Sequence, residues 1–335
     1  MSLDDLLTRM KAGDRRAVAR LITLAENDIE AAKEISLKIF KETGKAYIIG
    51  VTGAPGSGKS ALTNQLISLL LEMDLSVGVI AVDPTSPFSG GALLGDRIRM
   101  KENYSKDKVF IRSMANRGQL GGIARATKDI ISILDASGFN VIIIETVGVG
   151  QSEVDVYNTA HTTLVLVVPG MGDDIQTFKA GIMEICDIFV VNKMDHDGAE
   201  KLVNEIDSML DLNERINVNH EDHDIEIVKS KDWRVPVVKT NALTGEGVKN
   251  LWDNVEKHRK YLNDSGKIKQ KLINRFRKEL LDILKEKFRV QIEDALDPDS
   301  NKGIDELLGK IINRLESPYL ISDEISKIIL KNLDS

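Results

Sequence analysis

Cysteine is almost absent from this sequence of 335 residues, and Cys186 is the only one. A single thiol excludes an internal disulfide and a metal cluster held by several thiolates of one chain, and a buried, inert thiol is expected. The five histidines form no dense tract, which argues against a histidine-rich metal site. No uncharged apolar run approaches the roughly 20 residues that span a bilayer, and no signal-peptide pattern opens the chain. The sequence therefore predicts a cytoplasmic protein without membrane contact.

The sequence has fewer basic than acidic residues, with 45 Lys and Arg and 52 Asp and Glu, and its formal net charge is −7. Nucleic-acid backbones are bound by clustered Lys and Arg, so this balance argues against a nucleic-acid partner. Hydrophobic residues make up 42% of the chain, enough for a sizeable core. The length suits one large domain with extensions, or two domains.

Residues 48–60 contain the strongest motif, because 53–60 fill every fixed position of G-x-x-x-x-G-K-[ST]. A β-rich apolar run precedes the motif, and helical spacing of apolar residues follows it. The glycines let successive N–H groups turn toward a phosphate, and the helix adds its positive N-terminal end. Lys59 is predicted to contact the β- and γ-phosphates, and Ser60 to offer a hydroxyl to Mg²⁺. The predicted nucleotide contacts here are Gly53, Ala54, Pro55, Gly56, Ser57, Gly58, Lys59, Ser60 and Ala61.

Several later runs are apolar without alternation: 77–82, 141–144, 164–168 and 188–191; residues 109–114 and 235–238 are further predicted strands. This pattern favours strands covered on both faces, as in a parallel sheet flanked by helices. Asp83 ends the first of these runs, and Asp96 opens a helix-like segment after a loop rich in Pro, Ser and Gly. For these two acids, contact with Mg²⁺ and phosphate and a plain turn and helix cap both stay open.

Glu145 follows the run 141–144, and Gly148 lies three residues further on. This resembles the D-x-x-G element of GTPases, in which the acid orders the Mg²⁺ shell and the glycine amide senses the γ-phosphate. Here the acid is Glu rather than Asp. The longer side chain can still reach the metal or its water, so the same chemistry is expected with different geometry.

Residues 192–195 spell N-K-x-D directly after an apolar run. The Asp195 carboxylate can accept from N1–H and N2–H of guanine, donors that adenine does not present, so GTP is predicted over ATP. In the later turn that corresponds to the S-A-x turn of GTPases, Asn241 replaces Ser, and the Ala242 amide is predicted to donate to guanine O6. The predicted base contacts are Asn192, Lys193, Asp195, Asn241, Ala242 and Leu243.

The two ends of the chain have helical patterns. Residues 1–45 are predicted to form a helical extension, 46–262 the nucleotide-binding domain and 263–335 a helical arm. The charged segment 211–232 is predicted to be a loop or insertion. A long apolar stripe begins at Ile268, and it fits either an appendage packed on the core or an arm that pairs with a second copy. The second interpretation is favoured, because so long a stripe needs a large partner surface.

Together these elements resemble the MeaB/ArgK family, the G-protein chaperones associated with adenosylcobalamin-dependent methylmalonyl-CoA mutase. The resemblance is carried by residues 53–60, 83–87, 90–100, 145–153 and 192–195, and it spans about residues 8–260. It implies the α/β fold of signal-recognition and metallochaperone GTPases, a mainly parallel sheet between helices with helical extensions at both ends. It also implies a homodimer formed through the C-terminal arm.

The resemblance implies a GTPase that is slow alone and stimulated by its partner, with GTP or GDP and Mg²⁺ as cofactors. Its partner would be an adenosylcobalamin-dependent acyl-CoA mutase. The GTPase would gate the loading of that mutase with cofactor from an adenosyltransferase, and it would also protect or reactivate the mutase. The implied catalytic residues are Lys59, Asp96, Glu145, Gln176 and Lys179. The implied metal-shell residues are Ser60, Asp83, Asp96 and Glu145.

Two other functions share parts of this pattern. Nickel-insertion GTPases of hydrogenase and urease maturation have the same fold, but the sparse histidines and the single cysteine count against that function. A regulator of basic amino-acid transport is the second alternative, and there the N-K-x-D motif argues for guanine and against an ATP-driven kinase. Mutases that act on methylmalonyl-, isobutyryl- or ethylmalonyl-CoA all fit as the implied partner.

Overall fold

One parallel sheet of seven strands organises the part of the chain that the computed structural model describes, residues 2–84, 106–116, 122–146, 159–170, 185–219, 233–297 and 304–333. Its strands are β1 (Tyr47–Gly53), β2 (Val77–Pro84), β3 (Val109–Asn116), β4 (Val141–Thr146), β5 (Thr162–Val167), β6 (Ile188–Val191) and β7 (Val237–Lys239). They lie in the order β3-β2-β4-β1-β5-β6-β7, and all neighbours are parallel. The predicted α/β class with a mainly parallel sheet is confirmed.

Ten α-helices occur in the described residues. They are α1 (Leu3–Lys11), α2 (Arg15–Asn27), α3 (Ile29–Ile39), α4 (Lys59–Glu72), α5 (Gly122–Ala136), α6 (Ala199–Asn219), α7 (Val248–Asp264), α8 (Lys267–Leu296), α9 (Ile304–Ile312) and α10 (Pro318–Leu333). Local sequence sets several of the ends: Asp14 and Asp28 cap α2 and α3 by accepting from backbone N–H groups of the first turn. Among the described residues, none of these helices combines the length and the apolar character needed to cross a membrane.

The helices cover both faces of the sheet because alternate strand side chains point to opposite faces. Ile48 and Ile142 pack in one core cluster with α1, α2, α3 and α5. Ile49 and Ile143 pack in another with α4 and α7. Helix α6 packs on β5 and β6 in a third cluster. The absence of alternation in the strand sequences follows from this two-sided burial.

The position of β1 determines where a ligand can bind. The chain builds β2, β3 and β4 on one side of β1 and then crosses to β5 on the other side. In open α/β sheets, ligands bind beyond the carboxyl ends of the strands where the strand order switches in this way. The carboxyl end of β1 is the phosphate loop, so topology and motif indicate the same crevice.

The segment 211–232 corrects one prediction. The prediction of a loop or insertion is wrong for residues 211–219, since α6 continues to Asn219. Neither Gly nor Pro interrupts residues 199–219, and Leu202, Ile206 and Leu210 are buried at helical spacing. The density of charge was misleading because a helix with one buried face carries many charges on the other. Residues 220–232 lie outside the described part.

A polar cluster is buried at the edge of the sheet opposite the phosphate loop. The ring of His258 lies between Thr162 and Asp187, with Nδ1 2.8 Å from the threonine hydroxyl and Nε2 3.3 Å from the carboxylate. Lys271 donates to the same carboxylate at 3.1 Å. Burial lowers the pKa of His258 to about 4, against the opposing influence of Asp187. The neighbouring Cys186 is buried, which raises its thiol pKa and agrees with the inert thiol expected from the sequence.

The chain divides into two compact units, residues 1–273 and 274–335. The first unit contains the whole sheet and α1 to α7. The second contains most of α8 with α9 and α10, and its buried hydrophobic side chains among the described residues are Ile304 and Ile321. The domain boundaries at 45/46 and 262/263 stay a prediction.

Candidate nucleotide-binding site

The phosphate loop connects β1 to α4, and two of its glycines adopt backbone conformations that disfavour a side chain. Gly53 and Gly58 have φ angles of 140° and 93°, values in the region that side chains disfavour. A Cβ on Gly53 would also collide with the carbonyl oxygen of Leu166, and a Cβ on Gly58 with the side-chain nitrogen of Asn192. The glycines therefore let the loop approach both β5 and Asn192, the residue that follows β6.

The N-terminus of α4 points its positive end at this loop. Gly58 occupies the N-cap position, and no side chain caps the helix among the described residues. The first N–H groups of any α-helix lie beyond the reach of carbonyl groups of the same helix. Such a terminus is suited to binding an anion, because its amides and the helix dipole both favour negative charge.

The Lys59 ammonium group is buried inside the loop, with 7% of the residue exposed. It donates to the carbonyl oxygens of Gly53 at 2.8 Å and Ala54 at 2.9 Å. The structure thus places a cation against two backbone carbonyl groups of the phosphate loop. This arrangement can bind the phosphates of a nucleotide.

Ser60 and Glu145 meet on the α4 face of the sheet. The Ser60 hydroxyl donates to the Glu145 carboxylate at 2.5 Å, and both residues are buried. A hydroxyl that donates its proton keeps lone pairs for a cation, and Mg²⁺ prefers hard oxygen ligands. This buried pair of oxygen groups beside the phosphate loop therefore fits Mg²⁺. The replacement of Asp by Glu leaves the acid within reach of the serine.

Asn192 connects the phosphate end of the site to the base end. Its side-chain Nδ2 donates to the Ser57 carbonyl at 2.8 Å. Its Oδ1 accepts from the Ala242 amide at 3.0 Å and from the Thr240 hydroxyl at 3.2 Å. One fully buried asparagine thus holds the phosphate loop and the turn after β7 in a fixed relation.

Asn241 positions the acid predicted to bind the base. Its Nδ2 donates to Asp195 Oδ1 at 2.9 Å, while its Oδ1 accepts from the amide of Leu243 at 3.0 Å. From sequence this residue was only a departure from the usual Ser, and its role in orienting Asp195 was missed. The signal was available, since an Asn side chain has its donor and its acceptor on two separate atoms and can bind two groups on different sides at once.

The remaining predicted base contacts lie around the same turn. Lys193 adopts a positive φ of 57°, and Leu243 is 85% exposed beside Ala242. The Ala242 amide, predicted to donate to guanine O6, donates to Asn192 here. The structure therefore places Asn192, Lys193, Asp195, Asn241, Ala242 and Leu243 around one turn, and their contacts with a base stay a prediction.

Four predicted residues are only partly placed or not placed. Asp83 lies in β2 one position beyond the pair of Val82 and Thr146, at the carboxyl edge, and its side chain is not among those described. Asp96, Gln176 and Lys179 fall outside the described residues altogether. Their roles in the metal shell and in catalysis stay predictions.

The fold and this site together define a phosphate-loop nucleotide-binding protein of the GTPase type. A sequence model described as methylmalonyl-CoA mutase-associated GTPase MeaB matches residues 18–297. The chain belongs to this MeaB family, and the resemblance drawn from the motifs is confirmed.

Relatives and a solved structure agree with this assignment. A protein of Pyrococcus abyssi, whose name classes it with GTPases, is 48% identical over 98% of this chain and 97% of that protein. The mitochondrial methylmalonic aciduria type A homolog of Mus musculus is 32% identical over 80% of this chain and 66% of that protein. The crystal structure of a LAO/AO transport system kinase matches with a TM-score of 0.66 and 25% identity, covering 98% of this chain and 97% of that one.

Proposed function

We propose that this chain binds and hydrolyses GTP in preference to ATP, with Mg²⁺ as cofactor, and acts as a chaperone of an adenosylcobalamin-dependent acyl-CoA mutase. The observation that carries the nucleotide part is the continuous hydrogen-bonded path from the Ser57 carbonyl through Asn192 to Ala242. It sets a phosphate site and a base site at a fixed separation. Family membership supports the mutase part.

Base selection depends on Asp195, whose carboxylate is oriented by Asn241. A carboxylate accepts two hydrogen bonds from the N1–H and N2–H groups of guanine, whereas adenine offers an acceptor at N1. The mismatch leaves polar groups unpaired, which a binding site rejects strongly. Guanine is therefore the base that this site favours, and an ATP-driven kinase activity is disfavoured.

Phosphate chemistry depends on placement and charge. Lys59 and the first amides of α4 would hold the β- and γ-phosphates, and Ser60 with Glu145 would hold Mg²⁺, which neutralises charge that develops during transfer. Positioning and charge stabilisation supply most of the rate in such reactions. Because no described residue stands out as a base that activates water, slow hydrolysis is expected until a partner completes the site.

Nucleotide titrations of the Asp195→Asn variant test the base assignment. Wild-type protein should bind GDP and GTP, and the variant should lose about 100-fold in GDP affinity, since two charge-assisted hydrogen bonds are affected. Asp197→Asn is the matched control, because it makes the same change at an exposed position two residues later. Equal affinity of the wild type for ATP and GTP, or equal losses in the two variants, would contradict the proposal.

The mutase partner is tested by capture with purified protein. The full chain loaded with GDP or with a non-hydrolysable GTP analogue should retain a cobalamin-dependent acyl-CoA mutase, and the amount retained should differ between the nucleotides. GTP turnover should rise when that mutase is added. A mutase that neither binds nor accelerates turnover would remove the chaperone function while leaving the nucleotide site intact.

The second unit provides the surface for a homodimer. Helix α8, all of whose residues are described, has no buried residue, and its side chains Leu281, Leu284, Phe288 and Ile292 line an apolar groove. Exposed apolar area of this kind is covered in a stable protein. A second copy of the same helix is the proposed cover, because a two-fold dimer uses one self-complementary patch twice.

A further inference from the structure

Two buried threonine hydroxyls join the strands that carry the phosphate loop and Glu145. Thr146, the last residue of β4, donates from Oγ1 to Thr52 Oγ1 at 3.0 Å. The two residues are 2% and 0% exposed. Thr52 directly precedes Gly53, the first residue of the phosphate loop. The pair thus lies where both functional segments leave the sheet.

The alternation of the strands places this pair opposite the Ser60–Glu145 contact. Glu145 points to the α4 face, where it accepts from Ser60. Its neighbour Thr146 must point to the other face. The carboxyl end of β4 is therefore held from both sides, by the serine through Glu145 and by Thr52 through Thr146.

Packing alone does not explain two hydroxyls at these positions. Thr146 pairs with Val82 on β2, and Thr52 pairs with Val165 on β5. Valine has nearly the shape of threonine, and a buried hydroxyl is costly unless it is hydrogen-bonded. Two valines would fill the same space without that cost, so the hydrogen bond itself points to a role.

We propose that Thr52 and Thr146 are positioning residues that hold Glu145 in register with the phosphate loop and so shape the Mg²⁺ end of the nucleotide site. The proposal rests on the proposed GTP-binding function. Since the pair touches neither Ser60 nor Lys59 directly in the hydrogen bonds described, its effect passes through the backbone at the ends of β1 and β4. A small shift of the Glu145 carboxylate away from its place beside Mg²⁺ can lower the rate of GTP hydrolysis by a large factor.

The test compares Thr146→Val, Thr52→Val, the double variant and Thr146→Ser. Two quantities are measured for each: the Mg²⁺ concentration that halves the release rate of a fluorescent GDP, and the thermal unfolding midpoint. Each single valine variant should raise that Mg²⁺ concentration about fivefold, the equivalent of one neutral hydrogen bond. Thr146→Ser keeps the hydroxyl and should behave as wild type.

The double variant separates positioning from stability. Replacing both partners of a hydrogen bond by apolar groups of the same shape restores stability, so its unfolding midpoint should return toward wild type. The Mg²⁺ concentration that halves its GDP release rate should stay about fivefold above that of the wild type. No hydrogen bond between the two positions then holds Glu145 in register with the phosphate loop. Thr163→Val is the matched control, since Thr163 is fully buried at the opposite end of β5 and its hydroxyl has no hydrogen-bond partner among the described residues.

The inference would be overturned if both single valine variants needed the same Mg²⁺ concentration as wild type to halve GDP release. It would also be overturned if that concentration returned to the wild-type value together with the unfolding midpoint in the double variant. An equal rise of that concentration in Thr163→Val would overturn it as well. These outcomes differ from failure of the proposed function. If wild-type protein released the fluorescent GDP at the same rate with and without Mg²⁺, or did not bind it, the proposed function itself would fail. The variants are informative only against a wild type that responds to Mg²⁺.

Discussion

The two compact units of this chain bury their apolar side chains to very different extents. In residues 1–273, the sheet lies between helices, and strand side chains such as Ile49 and Ile143 are fully buried. In residues 274–335, large apolar side chains are exposed, and Leu284 is 49% exposed. Both units have helices with apolar stripes, and in the first unit those stripes pack on the sheet.

This difference in apolar burial indicates which unit has its own source of folding stability. Fully burying one leucine contributes about 1.5–3 kcal/mol, so a layered core accumulates stability that a lone helix lacks. The first unit is expected to fold on its own contacts. The second is expected to depend on contacts that another copy supplies. Both tryptophans of the chain, Trp233 and Trp252, lie in the first unit, so their fluorescence follows that unit alone.

The largest effect is expected from a cavity in the core of the first unit. Leu21 on α2 is fully buried in the cluster that includes Ile48 of the sheet. Leu21→Ala should lower the free energy of unfolding by about 3 kcal/mol, through lost burial and an unfilled cavity. Denaturant unfolding followed by tryptophan fluorescence measures this change.

Leu284→Ala is the matched control for that substitution, because it removes the same atoms from the second unit. It should leave the tryptophan transition within about 0.5 kcal/mol of wild type, as for an exposed site. An unmoved transition in Leu21→Ala would mean that residues 1–45 form a separate extension, contrary to the shared core.

The next effect is a loss of stability of the first unit in acid. The pKa of His258 is about 4 in the folded chain because of burial and about 6.5 when unfolded. Between these values the unfolded chain binds the additional proton, so stability falls as the pH drops from about 6.5 to 4. This group should contribute a loss of about 3 kcal/mol at most. Unfolding curves at several pH values measure it.

His258→Gln should have a flatter stability profile over this pH range than the wild type. His196→Gln serves as the control, because the His196 side chain is 58% exposed. The prediction would be wrong if the two variants kept the same slope. Asp187 and Lys271 face His258 in the same cluster, and both substitutions leave them in place.

The smallest effect on the first unit is expected from Leu284→Glu. A charge in the apolar groove of α8 should dissociate the proposed dimer, because burying an unpaired carboxylate is costly. Tryptophan unfolding and GDP affinity should change little. Sedimentation velocity measures the assembly, with Lys287→Glu as a control outside the groove. A monomeric wild type, or a dimer that survives Leu284→Glu, would contradict the dimer proposal.

Much of the fold follows from local patterns. The unbroken apolar runs predicted strands covered on both faces, and all the runs named in the sequence contain strands. Boundaries shifted by a few residues: the run predicted at 164–168 is β5, Thr162–Val167, since buried threonines continue the strand. The charged segment after Asp211 was misread because its charges could not reveal that α6 continues past them.

The nucleotide site also has features that local sequence predicts and features that it does not. The phosphate loop, the N-K-x-D motif and the acid near the end of β4 could be identified as motifs, since each depends on neighbouring residues. The orientation of Asp195 by Asn241 could not, because these residues are 46 positions apart in the chain. The cluster around His258 was also missed, since its members follow no motif and come from several elements.

The sequence by itself determined the α/β class of the protein and the phosphate-binding motif, and it contains the N-K-x-D motif on which the proposed guanine preference rests, because backbone geometry and side-chain chemistry at these positions are local properties. Only the tertiary structure decided that Asn192 contacts Ser57 across 135 residues and that Thr146 contacts Thr52 across 94. Such contacts form when strands distant in the chain become neighbours in a sheet. Their partners depend on strand order and register, which no single stretch of sequence contains.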